Sequence, residues 1–257
     1  LRPLVRNLIG LAGFFLLWEG VVRLGLVERA FLPTPTDVWG ALVDLLGQEA
    51  FIRDVIATVL AWLVALAIAV AVAVPAGLLL GSLPWLRTAT RVLIEFLRPI
   101  PPVALIPLVI VTLGSGPEAK ITLAFYASVW PILFNIIYAL DEIDPLLLDT
   151  ARSFGTRRSR VLAAVALPHV APFAFTGLRL SAAIALIVTV STEYLAGSEV
   201  GVGAFIIDVS STIGAMDQVL AGTVVIGLFG YLVNESLERV GRRLFRWSDT
   251  TRTEALS

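Results

Sequence analysis

The sequence predicts an all-α integral membrane protein of about six transmembrane helices, with both termini in the cytoplasm. Three observations point there. Of its 257 residues, 58% are hydrophobic and 15% are charged, against about 45–50% and about 25% in soluble domains. Mean hydropathy is +0.90. The apolar residues gather in runs of bilayer length, and the arginines gather in alternate connections.

A helix crossing the hydrocarbon core needs about 20 apolar residues. Six runs qualify, at approximately 4–26, 55–80, 88–113, 119–140, 173–195 and 219–240. The second contains no charge, and the third is interrupted by RPIPP. Basic residues set the orientation. Arg2 and Arg6 flank the start, Arg87 and Arg91 lie in the second connection, and Arg152, Arg157, Arg158 and Arg160 in the fourth. Arg239, Arg242, Arg243 and Arg246 close the last span. The first connection has Arg29 and Arg53, the third Lys120, and the fifth no basic residue. The positive-inside rule then places the even connections and both ends in the cytoplasm. A cleaved signal peptide is not expected, because no small-residue cleavage site follows the first apolar run.

After the first span, FLPTPTDVWGALVDLLG predicts a short interfacial helix from Asp37 to Leu46 on the outer side. Thr36 is its cap, and Leu42, Leu45 and Leu46 share one face. The chain reads as one membrane domain, 1–257, without repeats or a separate soluble domain.

Composition also excludes functions. There is no cysteine, so disulfide and thiolate chemistry are absent. His169 is the only histidine, which leaves no histidine metal cluster in one chain. Net charge is −1, so no global basic field for nucleic acid exists.

The connection at 141–172 includes DTARSFGTRRSRVLAAVALPHVAPF, from Asp149 to Phe173. A short helix runs from Leu146 to Phe154, and Gly155 can end it in the left-handed conformation. Thr156 is positioned to cap a second helix, Arg157–Leu167, which Leu167–Pro168 stops. Val161, Leu162, Val165 and Ala166 share its apolar face. The result is a helical hairpin with a basic elbow. On pattern alone it is either a re-entry loop whose arginines set topology or a docking element for a cytosolic partner.

The same stretch resembles the EAA loop of binding-protein-dependent ABC importer permeases. Asp149, Thr150 and Ala151 stand for the acidic residue and two small residues, Gly155 for the later glycine, and Ala166-Leu167-Pro168 for the closing hydrophobic-Leu-Pro. FLPTPTDVW, RPIPPVALIPLVIVTLG, TGLRLS, EYLAG and RRLFRW extend the resemblance to the nitrate, sulfonate, taurine and bicarbonate branch. The resemblance implies a type I (MetI-like) ABC importer permease fold. It implies a second, usually identical permease, a cytosolic ABC ATPase dimer that carries ATP and Mg, and an extracytoplasmic solute-binding protein. This chain would bind no cofactor itself. It would move a small anionic solute by alternating access across the bacterial inner membrane. ATPase coupling then falls on Asp149, Thr150, Ala151, Arg152, Gly155, Arg157, Arg158, Leu167 and Pro168.

A translocation-path or gate reading falls on Arg98, Pro99, Pro101, Pro102 and Glu193. The prolines remove backbone donors and force a break, tolerated at membrane depth where it is buried or lines a cavity. Arg98 either attracts anions or snorkels. Glu193 sits near the outer end of the fifth span, where an acid faces the bundle interior or water. It either gates the path or pairs structurally with backbone or a neighbour. Glu19 and Arg23 are spaced for a helix-surface ion pair, Arg179 for snorkelling, and His169 for a contact at the membrane edge.

Two rival functions are disfavoured. An intramembrane hydrolase needs a nucleophile beside a base, and the only histidine lies at the rim. A proton- or sodium-coupled transporter needs buried ionisable groups, which the second and fourth spans lack in their cores.

Overall fold

A computed structural model of the chain describes residues 2–246, apart from the side chains of residues 2–5, 7, 8, 148, 152, 158 and 159. Among these residues the fold is helical, with no strand. The order is α1 (Arg2–Arg23), α2 (Pro35–Leu46), α3 (Glu49–Ser82) and α4 (Pro84–Leu97). A 3₁₀ turn (Pro102–Leu105) leads into α5 (Ile106–Leu113), followed by α6 (Pro117–Asp141) and α7 (Pro145–Ser153). Then come α8 (Arg158–Val161), a π turn (Leu162–Ala166), α9 (Leu167–Ala196), α10 (Val202–Ser210) and α11 (Met216–Leu244).

Four of these helices are long and apolar enough to cross a membrane: α3, α6, α9 with its preceding π turn, and α11. The pair Pro84–Leu97 and Pro102–Leu113 makes a fifth if counted as one span bent by 79°. That pair occupies the predicted third span, and the bend falls at RPIPP. The predicted first span coincides with α1, several of whose side chains lie outside the described set.

Three local expectations are corrected. The short helix α2 starts at Pro35, not Asp37, and its cap is Thr34, not Thr36. Thr34 Oγ1 accepts from the Asp37 amide, and the Asp37 carboxylate accepts from the Thr34 amide, both at 3.2 Å. Threonine, proline at the first helical position and an acid at the third make a capping box, which satisfies two orphan donors at once. Leu46 is exposed; the buried face is Val38, Ala41, Leu42 and Leu45, at helical spacing.

The second correction concerns Leu167–Pro168, which does not stop the helix. Five residues in π geometry precede it, and the Leu167 amide donates to the Leu162 carbonyl. The wider π turn spaces the backbone so that a proline without an amide fits in the first turn of α9. The hairpin's second helix is therefore continuous with α9 and begins at Arg158; Arg160 and Val161 amides donate to the Arg157 carbonyl. The third correction is α10, a helix in the fifth connection that was not anticipated.

The described residues form two compact units. The first comprises residues 2–59 and 193–229. Its core joins the buried face of α2 to Phe51, Val202 and Ala221, with the Phe51 and Phe205 rings meeting edge to face at 4.9 Å. The second comprises residues 60–192 and 230–246. Its core sets small residues of α3 (Ala69, Ala73) against Ile132, Leu133, Ile136 and Ile137 of α6. Small residues let helix backbones approach where lipid leaves no hydrophobic driving force between spans. At Gly77 an added Cβ would stand 2.9 Å from Ile136 Cβ. Buried hydrogen bonds tie the spans: Trp62 Nε1 to the Ala182 carbonyl at 2.8 Å, and Ser181 Oγ to the Ser128 carbonyl at 2.6 Å.

Candidate functional site

The hairpin begins with Asp144, whose carboxylate accepts the Leu146 amide at 2.8 Å and caps α7 ahead of Pro145. Gly155 has φ +67°, a conformation costly for any residue with a Cβ. The Thr156 amide donates back to the Ala151 carbonyl at 3.1 Å. This is the long bond of a Schellman stop, with Gly155 at the left-handed position. Phe154, Leu146 and Leu147 are exposed, as are Asp149, Thr150, Gly155, Arg157 and Arg160. The side chains of Arg152 and Arg158 lie outside the described residues. The structure thus brings Ala151 and Gly155 together in one helix stop and puts Leu167 and Pro168 at the start of the following span. In the first turn of α9 the His169 ring lies tilted against Phe173 with ring centroids 5.5 Å apart, and its Nε2 is buried without a partner.

The broken span is built by its prolines. Pro101 has no amide to offer the Leu97 carbonyl, four residues back. That carbonyl accepts from the Ile100 amide at 3.1 Å and from the Tyr126 hydroxyl at 2.6 Å instead. Arg98 caps the end of α4, and its guanidinium lies over the Phe134 ring, 4.3 Å from the centroid. It borders a cleft of about 460 Å³ lined also by Arg87, Arg91, Glu95 and Tyr138.

Glu193 is completely buried. Thr58 Oγ1 lies 2.9 and 2.8 Å from its two carboxylate oxygens and donates to them. The Gly203 amide donates to Oε2 at 3.1 Å. The Thr58 hydroxyl oxygen accepts from the Val202 amide at 2.9 Å, and Asp54 Oδ1 accepts from the Gly201 amide at 3.1 Å. Three successive amides opening α10 are therefore held by α3 and by Glu193. A carboxylate against a helix N-terminus meets both free N–H groups and the positive end of the dipole. Gly201 sits at φ +142°, and a Cβ there would fall 2.2 Å from the Glu193 carboxyl carbon. This is the geometry of the structural alternative for Glu193. Sequence reasoning missed Asp54 and Thr58; their four-residue spacing at the head of the second span was the available signal.

Other paired residues match or extend expectation. Glu19 and Arg23 pair at 2.6 Å. Arg179 pairs with Glu238 at 2.7 Å and donates to Asn234 at 2.9 Å, partners that the sequence reading did not name. In the first unit a polar cleft of about 580 Å³ is lined by Arg29, Asp37, Asp44, Gln48, Asp217 and Gln218.

Membrane-length helices, a helix pair broken at prolines and a charged hairpin between apolar helices define a multi-span membrane protein. The chain belongs to the family of binding-protein-dependent transport system inner membrane components, whose model matches residues 73–246. It is 31% identical over 251 residues to the taurine transport system permease protein TauC of Escherichia coli K12, covering 96% of this chain and 90% of that one. It is 26% identical over 241 residues to the bicarbonate transport system permease protein CmpB of Synechocystis, covering 90% and 85%. Its fold matches an inward-facing structure of the MetNI methionine ABC transporter with TM-score 0.64 at 20% identity, over 75% of this chain and 94% of that one. The chain is thus an ABC importer permease subunit of type I fold. Such subunits carry no catalytic site of their own, and ATP hydrolysis is the partner ATPase's task.

Proposed function

We propose that two copies of this chain form the membrane channel of an ATP-driven importer for a small anionic solute, in the bacterial inner membrane. Each copy crosses the bilayer six times, with both termini in the cytoplasm. A solute-binding protein delivers the solute at the outer face, where the polar cleft beside α2 opens. ATP and Mg sit on the cytosolic ATPases. ATP binding closes the ATPase pair and draws the two hairpins together, which opens the spans outward. Hydrolysis and product release return them to the inward-facing state. Asp149, Thr150, Ala151, Arg152, Gly155, Arg157 and Arg158 form the contact with the ATPase, and Leu167 and Pro168 link it to α9. The break at Pro99, Pro101 and Pro102, with Arg98, borders the solute path, and Glu193 organises its outer end.

The observation that carries this reading is the exposed, glycine-stopped hairpin in a chain of this permease family. The test is co-purification with the cognate ATPase, followed by ATP hydrolysis in a bilayer with candidate loaded binding proteins. A stable complex whose hydrolysis rises with one of them supports the reading and identifies the solute. Transport by the chain alone would refute it. Replacing Gly155 by leucine should strain the elbow by about 1–2 kcal/mol and abolish stimulated hydrolysis while the spans still insert. Normal uptake by that variant would remove the hairpin from the coupling role.

A further inference from the structure

α4 has two unlike sides. Trp85, Val92, Leu93 and Phe96 form an exposed apolar face. Arg87, Arg91, Glu95 and Arg98 follow at spacings of four, four and three along another. The polar side borders the cleft of about 460 Å³, whose apolar wall includes Phe134 and Ile137 of α6. Three guanidinium groups thus meet one lining carboxylate.

The three arginines are not equally committed. Arg87 donates one nitrogen to Asp141 at 2.8 Å, and Arg91 its Nε to Glu95 at 2.8 Å. Each guanidinium has five N–H donors, so both keep donors in reserve. Among the described residues Arg98 has no carboxylate partner; its guanidinium carbon lies over the Phe134 ring, 4.3 Å from the centroid. A guanidinium over an aromatic face is attracted by the ring without spending its N–H donors, which form a fork matched to an oxyanion. The ring contact also restrains the side chain before a ligand arrives, which lowers the ordering cost of binding.

The loop-charge rule places the Arg87–Arg91 end of α4 near the cytoplasmic surface, and the neighbouring apolar face suits hydrocarbon. Basic pockets between membrane helices on that side suit anionic headgroups. We propose that the α4–α6 cleft binds a phosphate-class oxyanion, presented by the headgroup of an anionic phospholipid whose acyl chains lie along the apolar face of α4. The inference rests on these side chains and takes Arg98 for the headgroup rather than for the solute path.

The test uses the assembled transporter purified in mild detergent. Phosphatidylglycerol or phosphatidylcholine of the same acyl chains is added, and retained lipid is counted by native mass spectrometry. Inorganic phosphate binding is measured in parallel in phosphatidylcholine nanodiscs. Phosphatidylglycerol should be retained in preference to phosphatidylcholine. Arg98→Gln should cut that retention by about tenfold, the loss of one charged hydrogen-bonding group. Arg98→Lys should lie between, because it keeps the charge and loses the fork. Arg239→Gln, which removes an arginine paired with Glu235 outside the cleft, should leave retention unchanged. If Arg98→Gln does not assemble, Arg91→Gln carries the same comparison. Arg98-dependent phosphate binding without lipid preference would overturn the lipid source. Equal retention by wild type and both glutamine variants, with no phosphate binding, would overturn the site.

Discussion

Glu193 shows how one buried acid can be kept without being a reactive one. Its carboxylate accepts from the Thr58 hydroxyl and the Gly203 amide, so removing it strands donors rather than merely losing a charge. Glu193→Ala should destabilise the protein by about 1–3 kcal/mol, read as a lower thermal midpoint in detergent, with Glu193→Gln losing less. Gly201→Ala should be comparably harmful, because the added methyl has no room and the backbone conformation is disfavoured as well. A neutral Gly201→Ala would show that the loop before α10 does not close on Glu193. Asp37 makes the opposite case, an acid on the surface. Hydrogen bonding from Thr34, through the side chain first and then the backbone, holds its carboxyl below the ordinary carboxylate value. A group whose folded value is depressed contributes stability that is full above its unfolded value and lost as pH falls through the folded one. The α2 cap should therefore weaken in acid, below the ordinary carboxylate range. The difference in thermal midpoint between wild type and Asp37→Asn should shrink as pH falls through that window; a difference independent of pH would dismiss the carboxylate as the capping group.

The elements divide by what sets them. Hydropathy marked the spans, because burial in lipid demands long apolar runs, and the prolines marked the break at 98–102. The Gly155 stop was equally legible, since the residue itself permits the left-handed turn. What stayed hidden depends on partners distant in sequence or on near-equal local choices. Thr34 and Thr36 both precede the same apolar run, and the box with Asp37 decided between them. The amide that meets Glu193 belongs to α10, and its hydroxyl donor Thr58 is 135 positions away. Arg179 meets Asn234 and Glu238 across 55 and 59 positions. LAAVA carries nothing that separates a π turn from an α turn. For the broken span the prediction is direct. Replacing Pro99, Pro101 and Pro102 by alanine restores three donors and should straighten the 79° bend. The chain has no cysteine of its own. Spin labels carried by Val92→Cys and Val111→Cys, at two exposed positions flanking the break, therefore report that geometry when labelled copies are diluted with unlabelled ones. Their separation should lengthen; an unchanged distance would mean packing, not proline, makes the bend.

For the molecule as a whole, topology is the property most open to test. Single cysteines introduced in place of Gly155 and of Thr88 should react with a membrane-impermeant maleimide only in inside-out vesicles, and one in place of Gln48 only in right-side-out vesicles. The reverse pattern would invert the molecule and take the hairpin away from any cytosolic ATPase. The π turn has a consequence at this scale too. It carries one residue more than an α turn would need, and one residue is about 100° of helical rotation. The short helix Arg158–Val161 and the elbow before it are thereby phased differently against the face of α9. The heading of the basic elbow is a matter of arithmetic: adding or deleting a single small residue between Leu162 and Ala166 would swing it to another compass point while leaving both the elbow and the span intact.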